Sequence, residues 1–348
     1  MTLEAVRRLR NLVDGGVAMR GAQVVIRLGN DAIVDDAFGY ANPGTPITVD
    51  TLFPVHCAVK PVVAATLVLM QEAGVLKLED TLESISSIFA ASSLARATIV
   101  QVLTHTASFP PVEPPLIVFP DAAAKQVVVG SERHSVTHQA YSPYLGFAAL
   151  DYAVEDRTGE SLQTWSRRLV LQPLELDLHL AMSDAEYCAA SGRLGTGYRP
   201  SRAGGLVADL SDLTLRSCAY RNIGGTGRAS ARALSRFFEI MQAATLEPSS
   251  WASVMVQTRS GRNFDGGLRR TCEHGLGMFV HLADHEFFTS PPDDTYGCSA
   301  AQGAIFVVVD APAKLQVSVV TNGFEQWTLT CAWRRAFLQD IYSELGLL

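Results

Sequence analysis

In this 348-residue sequence, the pair of residues best suited to catalysis is a cysteine three residues before a lysine. Cys57 and Lys60 are followed at once by an apolar run, Val62 to Met70, which predicts a helix. Residues three apart lie on the same side of a helical turn, so the lysine amine can reach the sulfur. The sulfur also lies at the start of the predicted helix, where the backbone dipole favours an anion. Both effects favour a thiolate, and the pattern therefore indicates covalent catalysis.

The spacing alone does not establish a catalytic cysteine. Free cysteines are commonly buried residues that only pack, and short motifs match by chance. Considered without its context, the C-x-x-K pair therefore favours a packing role. The motifs farther along the chain reverse that preference.

Composition indicates a well-buried globular protein. The sequence is 48% hydrophobic, with a net charge of -7 and a pI near 5.6. No basic stripe offers a surface for nucleic acid. No apolar stretch reaches the ~18 residues that a membrane span needs, and the N-terminus lacks a signal-peptide core. We therefore expect a cytoplasmic protein with neither a membrane nor a nucleic-acid partner.

The cysteine and histidine spacings give no pattern typical of a metal site. The six cysteines are scattered without a C-x-x-C pair, so in a reducing compartment we expect free thiols. His134 with His138, and His281 with His285, have H-x-x-x-H spacing but lack the glutamate of a zinc-binding helix. We expect neither a metal nor another cofactor.

The elements that must position Cys57 and Lys60 come from both ends of the chain. Two predicted strands, separated by the turn residues Asn30 and Asp31, predict a β-hairpin. The predicted strands cover residues 22–28, 32–40, 276–282, 304–309 and 315–321. The predicted helices cover residues 3–19, 57–72, 144–154, 162–171, 230–243 and 329–345.

Residues 109–129 contain five prolines, a density that predicts a long surface loop without a regular helix. Such a loop is typical of a lid or a substrate-binding element. At its centre, residues 116–119 form a short apolar patch (Leu-Ile-Val-Phe). This patch either covers an apolar, uncharged acyl chain or packs on the core.

This order of elements predicts an α/β (α+β) fold. An antiparallel sheet is built from both chain ends and flanked by helices, and a mostly helical region is inserted between them. We expect one catalytic unit over residues 1–348. Residues 1–85 and 215–348 would form its α/β part and residues 86–214 its helical part.

Six short segments occur in an order that is typical of one family. They are the segment from Thr51 to Pro61, Gly74–Asp80 (GVLKLED), Val102–Ala107 (VLTHTA), Tyr141–Gly146 (YSPYLG), His274–Gly277 (HGLG) and Tyr296–Gly303. In these segments the chain resembles the serine β-lactamase and penicillin-binding-protein superfamily, in its class C β-lactamase and esterase branch. The resemblance covers roughly residues 20–340 and implies a β-lactamase-like fold.

The resemblance also implies a set of catalytic residues. Cys57 takes the place of the nucleophilic serine of S-x-x-K. Lys60 would take its proton or hold it as a thiolate. Tyr141, the first residue of the Y-x-N motif, would shuttle a proton to the leaving group and from the acceptor.

The strand that carries the family's third motif would complete the substrate site. The backbone N–H groups of Cys57 and of a residue near Ala301 would form the oxyanion hole. Cys298 and Ser299 would line the pocket as small polar groups, or only pack. Adjacent residues of a helix do not face each other, so His56, next to Cys57, is expected to have a packing or substrate-facing role. His105, in the L-T-H-T segment, is expected to make a structural hydrogen bond.

Two further departures from the family concern the substrate. Pro143 replaces the asparagine of Y-x-N, so an amide that usually contacts substrate and lysine is missing. Residues 297–303 (GCSAAQG) contain neither lysine nor histidine. In the family that cation helps bind the substrate's carboxylate. Its absence argues against β-lactams and peptidoglycan stem peptides as substrates.

Cysteine in place of serine would make the acyl-enzyme a thioester, which amines, alcohols and carbon nucleophiles attack. We therefore expect a biosynthetic acyltransferase or cyclase with a small-molecule acyl donor and acceptor. The donor would be a thioester of coenzyme A or of an acyl carrier protein. An esterase or thioesterase with the same site is one alternative, and a non-catalytic binding protein is another. A cysteine introduced by design to trap an intermediate would give the same sequence.

Overall fold

The computed structural model describes residues 3–113, 116, 121–133, 139–202, 205–209, 223–282, 294–324 and 327–348. The strands are β1 Gly21–Leu28, β2 Asp31–Asn42, β3 Thr45–Pro46, β4 Phe53–His56, β5 Leu178–His179, β6 Tyr198–Pro200, β7 Leu206–Ala208, β8 Gly227–Ala229, β9 Asn263–Asp265, β10 Arg270–Gly275, β11 Met278–Val280, β12 Thr295–Ala300, β13 Ile305–Asp310 and β14 Leu315–Thr321. The helices are α1 Glu4–Gly15, α2 Lys60–Glu72, α3 Leu82–Ile85, α4 Ile99–Leu103, α5 Asp121–Val129, α6 Leu145–Thr158, α7 Leu162–Ser166, α8 Asp184–Ala189, α9 Ala231–Ala244, α10 Trp251–Gln257 and α11 Trp327–Glu344.

The two ends of the chain meet in one antiparallel sheet. Its nine strands follow the order β3-β2-β1-β14-β13-β12-β11-β10-β9. The early strand β1 pairs with the last strand, β14, so that Val25 lies opposite Ser318. This pairing confirms the expected fold class, a sheet built from both ends and flanked by helices.

The central strands are buried on both faces, which explains their nearly continuous apolar sequences. Alternate residues of β1 enter different cores: Val24 and Ile26 join the helices α1 and α11, whereas Val25 joins the core around α2. The α2 core is the larger of the two. Its members from α2 include Val62, Val63, Ala64, Ala65, Leu67, Val68 and Met70. The sheet therefore separates a terminal helix layer from the layer that contains Cys57 and Lys60.

The prediction of a loop through residue 129 was wrong, because Asp121–Val129 forms helix α5. All five prolines lie at or before residue 120, so none of them interrupts the helix. In the apolar patch, Leu116 is fully buried in the larger core. Residues 117–119 lie outside the described part of the chain.

Several element bounds also differ from the prediction. The expected strand at 276–282 is only Met278–Val280, because Leu276 and Gly277 form the turn of a hairpin with β10. The strands β10 and β12 carry polar residues (RTCEHG and TYGCSA), so the apolar pattern predicted neither of them. Only the family resemblance implied a strand at the third motif, which is β12. In the described part of the chain, no helix is long and apolar enough to cross a membrane.

Gly277 fits this hairpin turn closely against the start of α2. Its φ is +70°, in the left-handed region that favours glycine. A Cβ atom there would lie 2.8 Å from the backbone oxygen of Lys60 and 2.9 Å from Ala64 Cβ. The Gly277 N–H donates to the Leu103 carbonyl at 3.0 Å. The glycine thus lets the β10–β11 hairpin pack against the turn that positions the lysine.

We predict that Gly277→Ala destabilises the protein by about 2–4 kcal/mol, from the left-handed φ and the backbone clash together. The matched control is Gly74→Ala. Gly74 has a φ of +71° but no atom within 4 Å of the added Cβ, so it should lose only about 1 kcal/mol. Urea unfolding of both variants measures the difference. Equal losses would contradict the close-packing explanation.

Candidate active site

Cys57 and Lys60 lie where β4 passes into α2. Cys57 opens a short 3-10 turn, Cys57–Val59, and Lys60 is the first residue of the helix. The Lys60 Nζ lies 3.4 Å from Cys57 Sγ, as the spacing predicted. The helix that follows is held in the core, so the lysine is only 2% exposed while the thiol is half-buried.

Lys60 also contacts two backbone carbonyls. Its Nζ donates to the Gly224 oxygen at 2.7 Å and to the Pro143 oxygen at 3.2 Å. An ammonium can donate its third hydrogen to a thiolate, whereas a neutral amine can accept the thiol proton through its lone pair. Both states fit the same heavy-atom positions. One proton can therefore move between Nζ and Sγ without rearrangement of the site.

Tyr141 completes the cluster from the segment before α6. Its hydroxyl is hydrogen-bonded to Cys57, and its ring lies 5.5 Å from Lys60 Nζ. Burial raises the pKa of Tyr141 well above its usual value, and the neighbouring charge of Cys57 raises it further. The phenol therefore keeps its proton near neutral pH. This arrangement makes Tyr141 a proton donor and not a resting base.

A buried polar layer holds Tyr141 from behind. Asp265 Oδ1 accepts the Tyr141 backbone N–H at 2.9 Å, and Asp265 Oδ2 lies 3.0 Å from His274 Nε2. His105 lies between the rings, 4.5 Å from Tyr141 and 4.8 Å from His274. Its Nδ1 accepts the Ser142 N–H at 3.0 Å, so the structural hydrogen bond expected of His105 is present.

The pKa values in this layer fit those hydrogen bonds. Burial is the largest cause that lowers the pKa of His105 far below its usual value, and His274 and Lys60 add to the effect. His105 is therefore neutral and can accept through Nδ1. For Asp265, burial opposes the charged form, but hydrogen bonds from His274 and the backbone lower the carboxyl pKa overall.

One group of described residues has the donor atoms of a metal site. Single ligand atoms of Asp265, Cys272 and His274 lie within 4.8 Å of one another, and all three residues are buried. Their polar atoms already contact each other, with Cys272 Sγ 3.5 Å from His274 Nε2. A role in holding Tyr141 accounts for the cluster without an ion.

Strand β12 and the turn after it bring the expected third-motif residues to the site, but the side chain of one of them, Cys298, packs in the core. Ser299 and Ala301 line the cavity beside Cys57. Cys298 instead packs in the larger core, with its sulfur 3.9 Å from the Ala58 oxygen. Burial raises the pKa of the Cys298 thiol to about 12. Cys298 therefore packs against the turn that carries the nucleophile and helps to support it.

A cavity of about 620 Å³ opens beside Cys57. Aromatic rings form much of its described wall, and the lining also includes a loose ion pair, with Arg199 Nε 4.0 Å from Asp209 Oδ1. The described lining is His56, Cys57, Tyr141, Pro143, Tyr144, Arg199, Asp209, Gly225, Leu268, Phe279, Ser299, Ala300, Ala301 and Phe324. The cavity therefore contains a cation, Arg199, on β6 and not on the third-motif strand.

Sequence reasoning missed several of these contributors. The carbonyls of Pro143 and Gly224 carry no side-chain signal, and Asp265 lies 124 residues from the backbone N–H that it holds. Glu113 was also missed, although its Oε2 accepts the N–H groups of Tyr144 and Leu145 at the start of α6. The histidines at 134, 138 and 285 lie outside the described part of the chain.

Comparisons with known proteins agree with this fold. Residues 9–339 match the family model described as Beta-lactamase, so the chain belongs to that family. No curated protein matches the sequence. The fold is therefore β-lactamase-like, as the motifs implied.

Three similar solved structures illustrate the range of this fold. "EstCE1, a hydrolase with promiscuous acyltransferase activity" has a TM-score of 0.75 at 17% identity, covering 97% of this chain and 98% of that one. A family VIII carboxylesterase has a TM-score of 0.73 at 16% identity, covering 96% of both chains. A class C β-lactamase from Rhodobacter sphaeroides has a TM-score of 0.73 at 15% identity, covering 98% of this chain and 99% of that one.

The first prediction from this geometry concerns thiol reactivity. At pH 7 iodoacetamide should alkylate Cys57 at least ~10-fold faster than Cys188, because a lysine beside the sulfur favours the thiolate. Cys188 is the control, since it is exposed whereas Cys57 is half-buried. Peptide mass spectrometry follows both sites. Lys60→Met should bring Cys57 down to the rate of Cys188, and equal rates in the unmodified protein would contradict the pairing.

The second prediction separates the lysine from the tyrosine. Tyr141→Phe and Lys60→Met should each lower turnover of an acyl thioester by ~10²-fold, the usual loss for a positioned acid–base group. Tyr141→Phe should keep fast alkylation of Cys57, whereas Lys60→Met should not. Because the pKa of Tyr141 is raised, deprotonation of this phenol should cause no loss of activity up to about pH 10. Full activity of Lys60→Met would make the pairing coincidental.

Proposed function

We propose that this protein is an acyl-transfer enzyme in which Cys57 carries the acyl group as a thioester. The observation that supports the proposal most directly is the 3.4 Å contact between Cys57 Sγ and Lys60 Nζ beside a cavity of about 620 Å³. A buried lysine with two fixed carbonyl partners is an expensive arrangement unless its charge or its proton is used. Membership of a family that includes hydrolases supports the same class of chemistry.

In the first half-reaction, Cys57 Sγ attacks the carbonyl carbon of the donor. The Cys57 backbone N–H and that of Ala301 would stabilise the oxyanion, which is the usual role of donors at this position. Tyr141 then gives its proton to the departing thiol or alcohol of the donor. Lys60 holds the proton that came from Cys57 and would return it to the Tyr141 phenolate, so that the half-reaction ends with Cys57 acylated and the donor's thiol or alcohol released.

Transfer is favoured over hydrolysis by the thioester and by the cavity walls. A Cys57 thioester reacts readily with amines, and the rings of Tyr144, Phe279 and Phe324 offer an apolar surface where an acyl chain and an organic acceptor can displace water. The donor would be a coenzyme A or acyl-carrier-protein thioester of a biosynthetic pathway. A cytoplasmic location, where such donors occur, is part of the proposal.

An esterase or thioesterase is the second candidate. The similarity to EstCE1, whose title names a hydrolase with promiscuous acyltransferase activity, supports it, because one site of this fold can serve both reactions. The difference lies only in the acceptor. Free acid as the product would identify a hydrolase, and a new amide, ester or ring would identify a transferase.

The test is intact-mass spectrometry with a thioester probe. Octanoyl-N-acetylcysteamine should add one octanoyl group to the protein, and Cys57→Ala should remain unmodified. With 1-butylamine or 1-butanol present, the octanoyl amide or ester should exceed octanoic acid. Benzylpenicillin should add no mass, since the third-motif segment lacks its cation and the Arg199 guanidinium in the cavity is paired with Asp209. If no acyl donor modifies Cys57, the proposal fails and a binding role replaces it.

A further inference from the structure

Helix α6 begins at Leu145 without a capping side chain from Tyr144, the residue before it. Its first N–H groups are held instead by Glu113, which comes 31 residues before Tyr144 in the chain. Glu113 Oε2 accepts the N–H groups of Tyr144 and Leu145, at 2.8 Å each. A carboxylate at this place is favoured by the dipole of the helix. Glu113 therefore fixes the start of α6, directly beside the segment that carries Tyr141.

The peptide bond between Pro143 and Tyr144 connects Glu113 to Lys60. Its carbonyl oxygen accepts from Lys60 Nζ at 3.2 Å, and its N–H donates to Glu113 Oε2 at 2.8 Å. The negative end of this peptide dipole thus faces the amine, and its positive end faces the carboxylate. Hydrogen bonds in such a chain polarise one another, and they are strongest where the end groups are ionised. The chain therefore stabilises an ammonium at Lys60 together with a carboxylate at Glu113.

The titration of the groups around Glu113 agrees with this connection. Burial raises the pKa of Glu113, while hydrogen bonds from Ser142 and the start of α6, and the charge of Lys60, lower it in part. The attraction is mutual, so the carboxylate favours the charged form of the lysine in turn. Tyr144 also lies near Glu113, and burial, Cys57 and Glu113 together raise the pKa of its phenol, which stays neutral near pH 7. Lys60 is thus the cation that answers the charge of Glu113.

The other surroundings of Lys60 also suit an ammonium. Its Nζ lies 4.6 Å from the centre of the Phe147 ring, within the range of a cation–π attraction. Phe147 belongs to α6, the helix whose start Glu113 holds. Nζ also donates to the Gly224 oxygen at 2.7 Å. With two hydrogens of the ammonium given to carbonyls, the third is available to Cys57 Sγ, 3.4 Å away, which suits a thiolate.

We infer that Glu113 is a positioning residue of the nucleophile: through the Pro143–Tyr144 peptide, its carboxylate keeps Lys60 protonated and Cys57 a thiolate in the resting enzyme. The inference rests on the role of Cys57 in the acyl-transfer function proposed above. The proton of Cys57 is then already on Lys60 when the donor arrives, so no proton has to move before the sulfur attacks. Glu113 is not among the described residues that line the cavity. Its charge therefore acts on the reaction through Lys60.

Glu113→Gln removes the charge and keeps the cap, because an amide oxygen can accept the same two N–H groups. At pH 7, alkylation of Cys57 by iodoacetamide should fall by about 3- to 10-fold, partway to the rate of Lys60→Met. At pH 10 the variant and the unmodified protein should react equally fast, since even an ordinary thiol, with a pKa of ~8.5, is ionised there. The difference should also disappear as the pH falls through the raised pKa of Glu113, because a protonated carboxyl carries no charge.

Two further variants separate the charge of Glu113 from its part in the fold. In a Lys60→Met background, Glu113→Gln should cause no further fall in alkylation at pH 7, because the group through which it acts is gone. Asp151→Asn is the matched control. Asp151 is a buried carboxylate of the same helix, and its Oδ1 accepts the Leu162 N–H at 2.8 Å at the start of α7. Its replacement should cost stability but leave the alkylation of Cys57 unchanged at every pH.

The possible failures are distinguishable, because alkylation needs no acyl donor. The role of Glu113 is overturned if Glu113→Gln reacts normally at pH 7, or if it reacts slowly at pH 10 as well, which would indicate a distorted site. A further fall in the Lys60→Met background overturns it too. If alkylation changes as expected but octanoyl-N-acetylcysteamine never modifies Cys57, the acyl-transfer function falls and the connection between Glu113 and Lys60 stands.

Discussion

The buried amine of Lys60 is the constraint on which the rest of the site depends. A polar group with 2% exposure must be satisfied by partners that cannot move away, since a buried polar group without partners is costly and a buried charge without partners is more so. The carbonyls of Gly224 and Pro143 and the sulfur of Cys57 meet that need from three separate segments. The first turn of α2, the start of α6 and the approach to β8 are therefore fixed relative to one another by one amine.

The proline that replaces the family's asparagine fits this constraint. Its backbone carbonyl contacts Lys60, and the N–H groups on either side are held: that of Ser142 by His105 Nδ1, and that of Tyr144 by Glu113 Oε2. Neutral His105 can accept because burial keeps its pKa low. Loss of the asparagine amide thus removes a group that could face substrate, while the lysine keeps an oxygen partner in the same segment.

How much of this could be predicted depended on whether a contact was local. The Cys57–Lys60 contact follows from a three-residue spacing before an apolar helix, and the β1–β2 hairpin follows from two strand-like segments on either side of a turn. The Gly224 carbonyl lies 164 residues from Lys60 and leaves no pattern in the sequence. Strand β12 has polar residues on the cavity side, so its period is obscured. His56, the residue before the nucleophile, has a strained backbone with φ +46° and ψ −127°, and its residue type gives no sign of that conformation.

The strain at His56 is tolerated because its surroundings leave the backbone no alternative. Val55 before it is fully buried, and from Lys60 onward nearly every residue of α2 up to Met70 is buried as well. A shift of His56 to a relaxed angle would have to move one of these two packed segments, and the burial of several large apolar side chains outweighs a penalty of ~1–3 kcal/mol. The same packing holds Cys57 at the cavity. The position of the nucleophile and the direction of the neighbouring imidazole therefore have a common cause, which is the rigid junction between β4 and α2.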